Sequence, residues 1–165
     1  MLYLSQHPHP HTAATQRGLR AADGYLYLGL PAEALRELDA IPATEQGDSA
    51  VLLARIRVLL HMKEWRSAEA LSGQGARLHP DEGEFTVQRA FALHQMDKGQ
   101  AAAAALLAAP EWIRRTGILH YNLACYQARL GDLTQARECI DAAIQMNAGI
   151  KKNARLDPDL QALWN

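Results

Sequence analysis

Four alanines, Ala34, Ala68, Ala102 and Ala136, recur at a spacing of 34 in a chain of 165 residues. A fixed period of this length narrows the fold more than any single motif does. Each repeat is one supersecondary unit, and it buries its apolar face only by stacking on its neighbours. Each alanine follows a polar or turn-like stretch: Gly29-Leu30-Pro31, Lys63-Glu64-Trp65, Asp97-Lys98-Gly99 and Gly131-Asp132-Leu133. A helical run precedes each stretch, such as Tyr121 to Leu130, and a second follows, such as Thr134 to Met146. Composition agrees with two helices per period. Ala (30) and Leu (24) make up about a third of the chain, whereas Val, Ile and Thr together number 16. Ala and Leu favour helix and β-branched residues favour strand, so an all-α fold is expected.

The residues around the four alanines carry a resemblance. Leu119-His120-Tyr121-Asn122-Leu123-Ala124, then Leu130-Gly131-Asp132-Leu133, then Ala136, is similar to the tetratricopeptide repeat, a helix–turn–helix unit of the same period. In that register, repeat position 20 is Ala in every unit. Position 8 reads Ala22, Ile56, Ala90 and Ala124; position 24 reads Leu38, Ser72, Leu106 and Ile140; position 27 reads Ile41, Gly75, Ala109 and Ala143. Short side chains at positions 8 and 20 let the two helices of a hairpin approach closely. The resemblance implies a right-handed α-solenoid of antiparallel hairpins, with units at 15–48, 49–82, 83–116 and 117–150.

Several residues depart from the family pattern. Arg55 and Arg89 stand at position 7, where Leu is usual, so either their stems snorkel or the packing is locally rotated. Gly18 stands where an aromatic is usual. Pro42 and Pro110 stop the second helices of the first and third units near residues 41 and 109. Residues 1–14 include His7-Pro8-His9-Pro10-His11 and read as an extended N-terminal arm, a candidate self-ligand for the groove. Residues 151–165 read as a C-terminal capping helix, with Asp157 as N-cap, Pro158 at the first helical position, and Leu160, Leu163 and Trp164 as its apolar stripe. That ending is similar to short tails that close many bacterial tetratricopeptide proteins.

Little in the chain suggests catalysis. The His7, His9 and His11 spacing is not a zinc arrangement. His120 and Cys125 do not share a helix face, and neither Cys125 nor Cys139 has a His–Asp set that would activate it. Gly73-Gln74-Gly75 lies in a helical run and lacks the rest of a phosphate loop. The expectation is a non-enzyme with no cofactor and no metal. A net charge of −1 argues against nucleic acid as a partner. The longest apolar runs fall short of a membrane span, and the first residues do not form a secretory signal. Two cysteines make no disulfide framework, so a reducing cytoplasm is the expected compartment.

The resemblance also implies where a partner binds. In this family peptides lie along the first helices of the units. Carried over, the groove is lined by Arg20, Asp23 and Tyr27 in the first unit and by Leu53, Arg57, Leu60 and His61 in the second. Gln88, Phe91 and His94 follow in the third, and Tyr121, Asn122 and Arg129 in the fourth. Tyr and Arg are favoured interface anchors, and His61 and His94 offer pH sensitivity. The carboxylate clamp that grips Hsp70- or Hsp90-type tails is not made. Its positions read Leu19, Asp23, Ala54, Glu84 and Gln88 from the first unit, or Leu53, Arg57, Gln88, Ile118 and Asn122 from the second. The expected function is a protein-interaction module that holds a peptide segment of a partner. A type III secretion-type chaperone and a self-associating, homo-oligomeric scaffold are the alternatives.

Overall fold

A computed structural model describes residues 11–164. It forms two compact units, Met1–Met62 and Lys63–Asn165, so the boundary falls inside the span expected for the second repeat. Among the described residues every regular element is helical. The first unit holds α1 (Ala13–Tyr27), α2 (Pro31–Asp39), a 3₁₀ turn (Ala43–Glu45) and α3 (Ser49–His61). The second holds α4 (Trp65–Leu78), α5 (Gly83–Gln95), α6 (Gly99–Leu107), α7 (Glu111–Arg114), α8 (Gly117–Arg129), α9 (Leu133–Met146) and α10 (Ile150–Leu156), then a 3₁₀ segment (Pro158–Leu163). No helix among the described residues is long and apolar enough to cross a membrane.

Local chemistry sets the helix ends. The Thr12 hydroxyl accepts the Thr15 N–H at 3.2 Å and caps α1. Pro31, which needs no N–H partner, opens α2. Helices α2 and α6 end shortly before Pro42 and Pro110. The turn after the first helix of each expected unit uses a left-handed residue. These are Gly29 (φ 73°), Lys63 (φ 60°), Asp97 (φ 59°) and Gly131 (φ 85°), again spaced by 34. Glycine meets that conformation without strain, whereas Lys63 and Asp97 carry a Cβ into it.

The four period-marking alanines are all fully buried. In the first unit Ala22, Ala34, Leu38, Ile41, Val51, Ala54 and Val58 form the core between α1, α2 and α3. Gly18 lets α1 close on α2: a Cβ there would stand 3.0 Å from Ile41 Cγ1 and 3.2 Å from the Glu37 carbonyl oxygen. In the second unit Ala90, Leu106, Leu119, Ala124, Tyr126, Ile140 and Ala143 make one core, which Leu160 and Leu163 of the C-terminal segment join. The two off-pattern arginines reach outward to acids. Arg55 Nη1 pairs with Asp39 at 2.5 Å and Nη2 donates to Gln46 at 2.9 Å, while Arg89 Nε pairs with Glu69 at 2.7 Å.

The chain after residue 150 departs from the single capping helix expected over 151–165. It breaks at Asp157, whose ψ is 122°. Pro158 disfavours helical geometry in the residue before it, so α10 stops at Leu156 and a 3₁₀ segment begins. The Asp157 carboxylate accepts the Asp159 N–H at 2.9 Å, as an N-cap does.

Candidate functional site

In the first unit, α1 carries Arg20, Asp23 and Tyr27, and α3 carries Leu53, Arg57, Leu60 and His61. Arg20, Asp23, Tyr27, Arg57 and His61 are exposed, Tyr27 at 92%; Leu53 and Leu60 are half-buried. One pair bridges the two helices, Arg57 Nη2 to Asp23 Oδ1 at 3.4 Å. His11 Nε2 lies 3.5 Å from Asp48 Oδ2. His7, His9 and most of the expected N-terminal arm lie outside the described residues.

In the second unit, α5 carries Gln88, Phe91 and His94, and α8 carries Tyr121, Asn122 and Arg129. Phe91 is 37% exposed and meets the Trp65 ring edge-on, with centroids 6.2 Å apart. Phe85, Ala90 and Ala92 of the same helix are fully buried. Gln88, Tyr121 and Asn122 are half-buried and Arg129 is exposed. A cleft of about 270 Å³ opens beside Tyr121, lined also by Gly117, Ile118, Asn147, Ile150 and Asn153.

His94 differs from the open-face position expected of it. It is 2% exposed, its ring lies 4.4 Å from that of Tyr126, and its Nε2 is 2.7 Å from Asp159 Oδ2. The C-terminal segment covers it. Asp159 Oδ1 also lies 4.0 Å from Arg129 Nε, and Arg129 pairs in addition with Asp97. Asp157 Oδ2 accepts the Tyr121 O–H and, at 3.7 Å, the Cys125 S–H. The segment therefore draws together His94, Tyr121 and Arg129, together with Cys125.

Asp157 and Asp159 join this surface although nothing in their local sequence points to it. Their spacing is that of a helix cap, and the fold-back that aims them at α5 and α8 leaves no local signal. Burial, aided by Asp157 and Asp159, pushes the Cys125 thiol well above its ordinary pKa. Burial and then the bond to Asp157 do the same for Tyr121. Both groups donate hydrogen bonds to Asp157 Oδ2, and a thiol held protonated is a poorer nucleophile than a thiolate. Cys125, Asp157 and Asp159 place one ligand atom each within 4.8 Å of one another. Asp157 is already committed to Tyr121 and Cys125, and Asp159 to His94 and Arg129, so a hydrogen-bonded network accounts for the cluster.

No protein-family profile matches the chain, and no curated protein does. Solved structures are similar in fold. MamA (41-end) from Desulfovibrio magneticus RS-1 superposes with a TM-score of 0.71 at 17% identity, covering 84% of this chain and 78% of that one. MamA AMB-1 gives 0.71 at 15% identity over 92% and 86%. MamA MSR-1 gives 0.66 at 16% over 82% and 75%. At these identities the likeness is one of fold. The chain has an all-α helical-repeat fold of tetratricopeptide type.

Proposed function

We propose that the chain is a non-catalytic protein-interaction module of four 34-residue tetratricopeptide units, holding a peptide segment of a partner against the first helices of its units. The observation that carries this reading is Phe91. Helix α5 buries Phe85, Ala90 and Ala92 completely yet presents a large aromatic ring, backed by Trp65, to solvent. A half-open aromatic on a rigid helix is a ready anchor, and aromatics and arginines dominate binding hot spots. Apolar contact comes from Leu53, Leu60, Phe91 and Tyr121. Charge pairing comes from Arg20, Arg57 and Arg129, while Asp23 and His61 add polar contacts and Gln88 and Asn122 supply amide hydrogen bonds.

Selection of a displayed peptide library against the full chain tests the proposal. Selected peptides bind the wild type, and Arg57→Glu with Phe91→Ala abolishes their capture while melting stays cooperative. Unchanged capture by the folded double variant refutes the groove.

A further inference from the structure

The segment Asp157–Trp164 is held by its own unit as a bound peptide is held. Its two carboxylates meet His94 of α5 and Tyr121, Cys125 and Arg129 of α8. Leu160 and Leu163 are buried in the core. The Leu163 carbonyl oxygen accepts a hydrogen bond from Arg137 of α9. The Trp164 ring lies 5.2 Å from the Arg137 guanidinium carbon and 5.9 Å from that of Arg155, and its indole N–H donates to the Ala154 carbonyl oxygen at 3.0 Å. The segment is a short 3₁₀ stretch attached through one break, at Asp157-Pro158.

This constellation has a consistent chemistry. Arg129, Arg137, Arg155 and His94 form the receiving side, and two aspartates followed by Leu and Trp form the received side. A carboxylate accepts from several donors at once, and bonds with a charged partner are the stronger kind. A neutral segment in the same place would leave Tyr121 and the buried His94 with poorer acceptors, which is costly away from water.

We infer that this face of α5 and α8 takes an acidic partner segment of the pattern Asp-x-Asp-Leu with a Leu-Trp-like apolar pair after it, and that Asp157–Trp164 is a tethered competitor which that partner displaces. The inference rests on the protein-interaction reading and names the ligand chemistry at the C-terminal end of that surface. A short tether holds its ligand at an effective concentration of about a millimolar. The closed chain therefore binds such a segment weakly, and loosening the tail strengthens binding.

The test uses the full chain and a fluorescein-labelled synthetic peptide, Leu-Asp-Pro-Asp-Leu-Gln-Ala-Leu-Trp-Asn, read by fluorescence anisotropy. Asp157→Asn with Asp159→Asn removes the charges of the tail, and Asn at 157 keeps a capable N-cap. The double variant is expected to bind the peptide at least tenfold tighter than the wild type. A peptide with both aspartates changed to asparagine is expected to lose that gain, and so is the double variant when it also carries Arg129→Ala.

A second measurement does not depend on how the variant folds. Excess peptide added to the wild type is expected to speed hydrogen exchange at the Leu160 and Trp164 amides while α8 stays protected. Equal affinities together with unchanged exchange overturn the inference. So does a doubling of mass in light scattering that vanishes in the double variant, which shows the tail exchanging between copies instead. If the inference fails here while Arg57→Glu with Phe91→Ala still abolishes capture of the selected peptides, the interaction module stands and only its acidic ligand is lost.

Discussion

Replacing Gly75 by alanine sets two well-separated effects against each other. Gly75 lies inside α4. On propensity alone, Ala for Gly in a helix interior gains about 1 kcal/mol. The packing opposes this. A Cβ at residue 75 would stand 2.3 Å from both Cδ1 and Cε1 of Phe85 and 2.9 Å from Cγ. Phe85 is fully buried and its ring stacks on His79 at 5.8 Å, so α4 and α5 must part or the ring must leave its rotamer. Overpacking of this kind costs about 1–3 kcal/mol, and contact this short belongs at the upper end. We expect Gly75→Ala to destabilise the chain by about 1–2 kcal/mol net, measured by urea denaturation. Gly24→Ala is the matched control. Gly24 also sits within a helix, α1, but its Cβ would meet nothing within 4 Å, so that change should stabilise by about 0.5–1 kcal/mol. Phe85→Leu, made with Gly75→Ala, should recover part of the loss, with a coupling of about 0.5–3 kcal/mol between two residues in contact. Stabilisation by Gly75→Ala, or strict additivity with Phe85→Leu, would refute the close approach of α4 and α5.

Three further outcomes are expected. Lys63→Gly relieves a left-handed backbone at an exposed side chain and raises stability by about 1 kcal/mol in thermal melting. Leu160→Ala opens a cavity where the tail enters the core and costs about 2–4 kcal/mol in urea titration; a loss below about 0.5 kcal/mol would mean that the tail is not seated there. The folded-state pKa of Cys125 is raised above its ordinary value of 9.0 by burial first and by Asp157 and Asp159 next. The protonated thiol therefore contributes stability that is fully present below pH 9 and is lost as pH rises, at up to about 1.4 kcal/mol per unit. Melting curves from pH 8 to 10 should fall more steeply for the wild type than for Cys125→Ala, and a thiol reagent at pH 8 should label Cys139 before Cys125.

What was legible in the sequence is what periodicity encodes. The alanines at 34, 68, 102 and 136 carry the period, and all four are fully buried. The stops before Pro42 and Pro110 follow from backbone sterics that act within one or two residues. Hidden features depend on tertiary geometry or on a conformation that side-chain chemistry does not announce. Lys63 and Asp97 share the left-handed turn with Gly29 and Gly131; lysine does not announce that conformation, and aspartate, which visits it more often than most side chains, announces it weakly. The repeat register puts His94 on an open face, yet a segment 65 residues further along the chain covers it. Asp157 and Asp159 are ordinary capping residues when read locally. Their contact with α5 and α8 exists only because the chain breaks at Asp157-Pro158 and folds back.

Peptide binding at the exposed aromatic and arginine positions of the first helices is the proposal on which the functional reading stands. Isothermal titration of one selected peptide into the full chain tests it most directly, with Arg57→Glu and Phe91→Ala together as the comparison. Arg57 and Asp23 form only an exposed ion pair, worth about 0–1 kcal/mol to the fold, and Phe91→Ala gives up a partly exposed ring packed on Trp65, so the variant should melt below the wild type yet still in one cooperative transition. At least a hundredfold loss of affinity is expected in that folded variant, about 2.7 kcal/mol. Equal affinity for both proteins would contradict it.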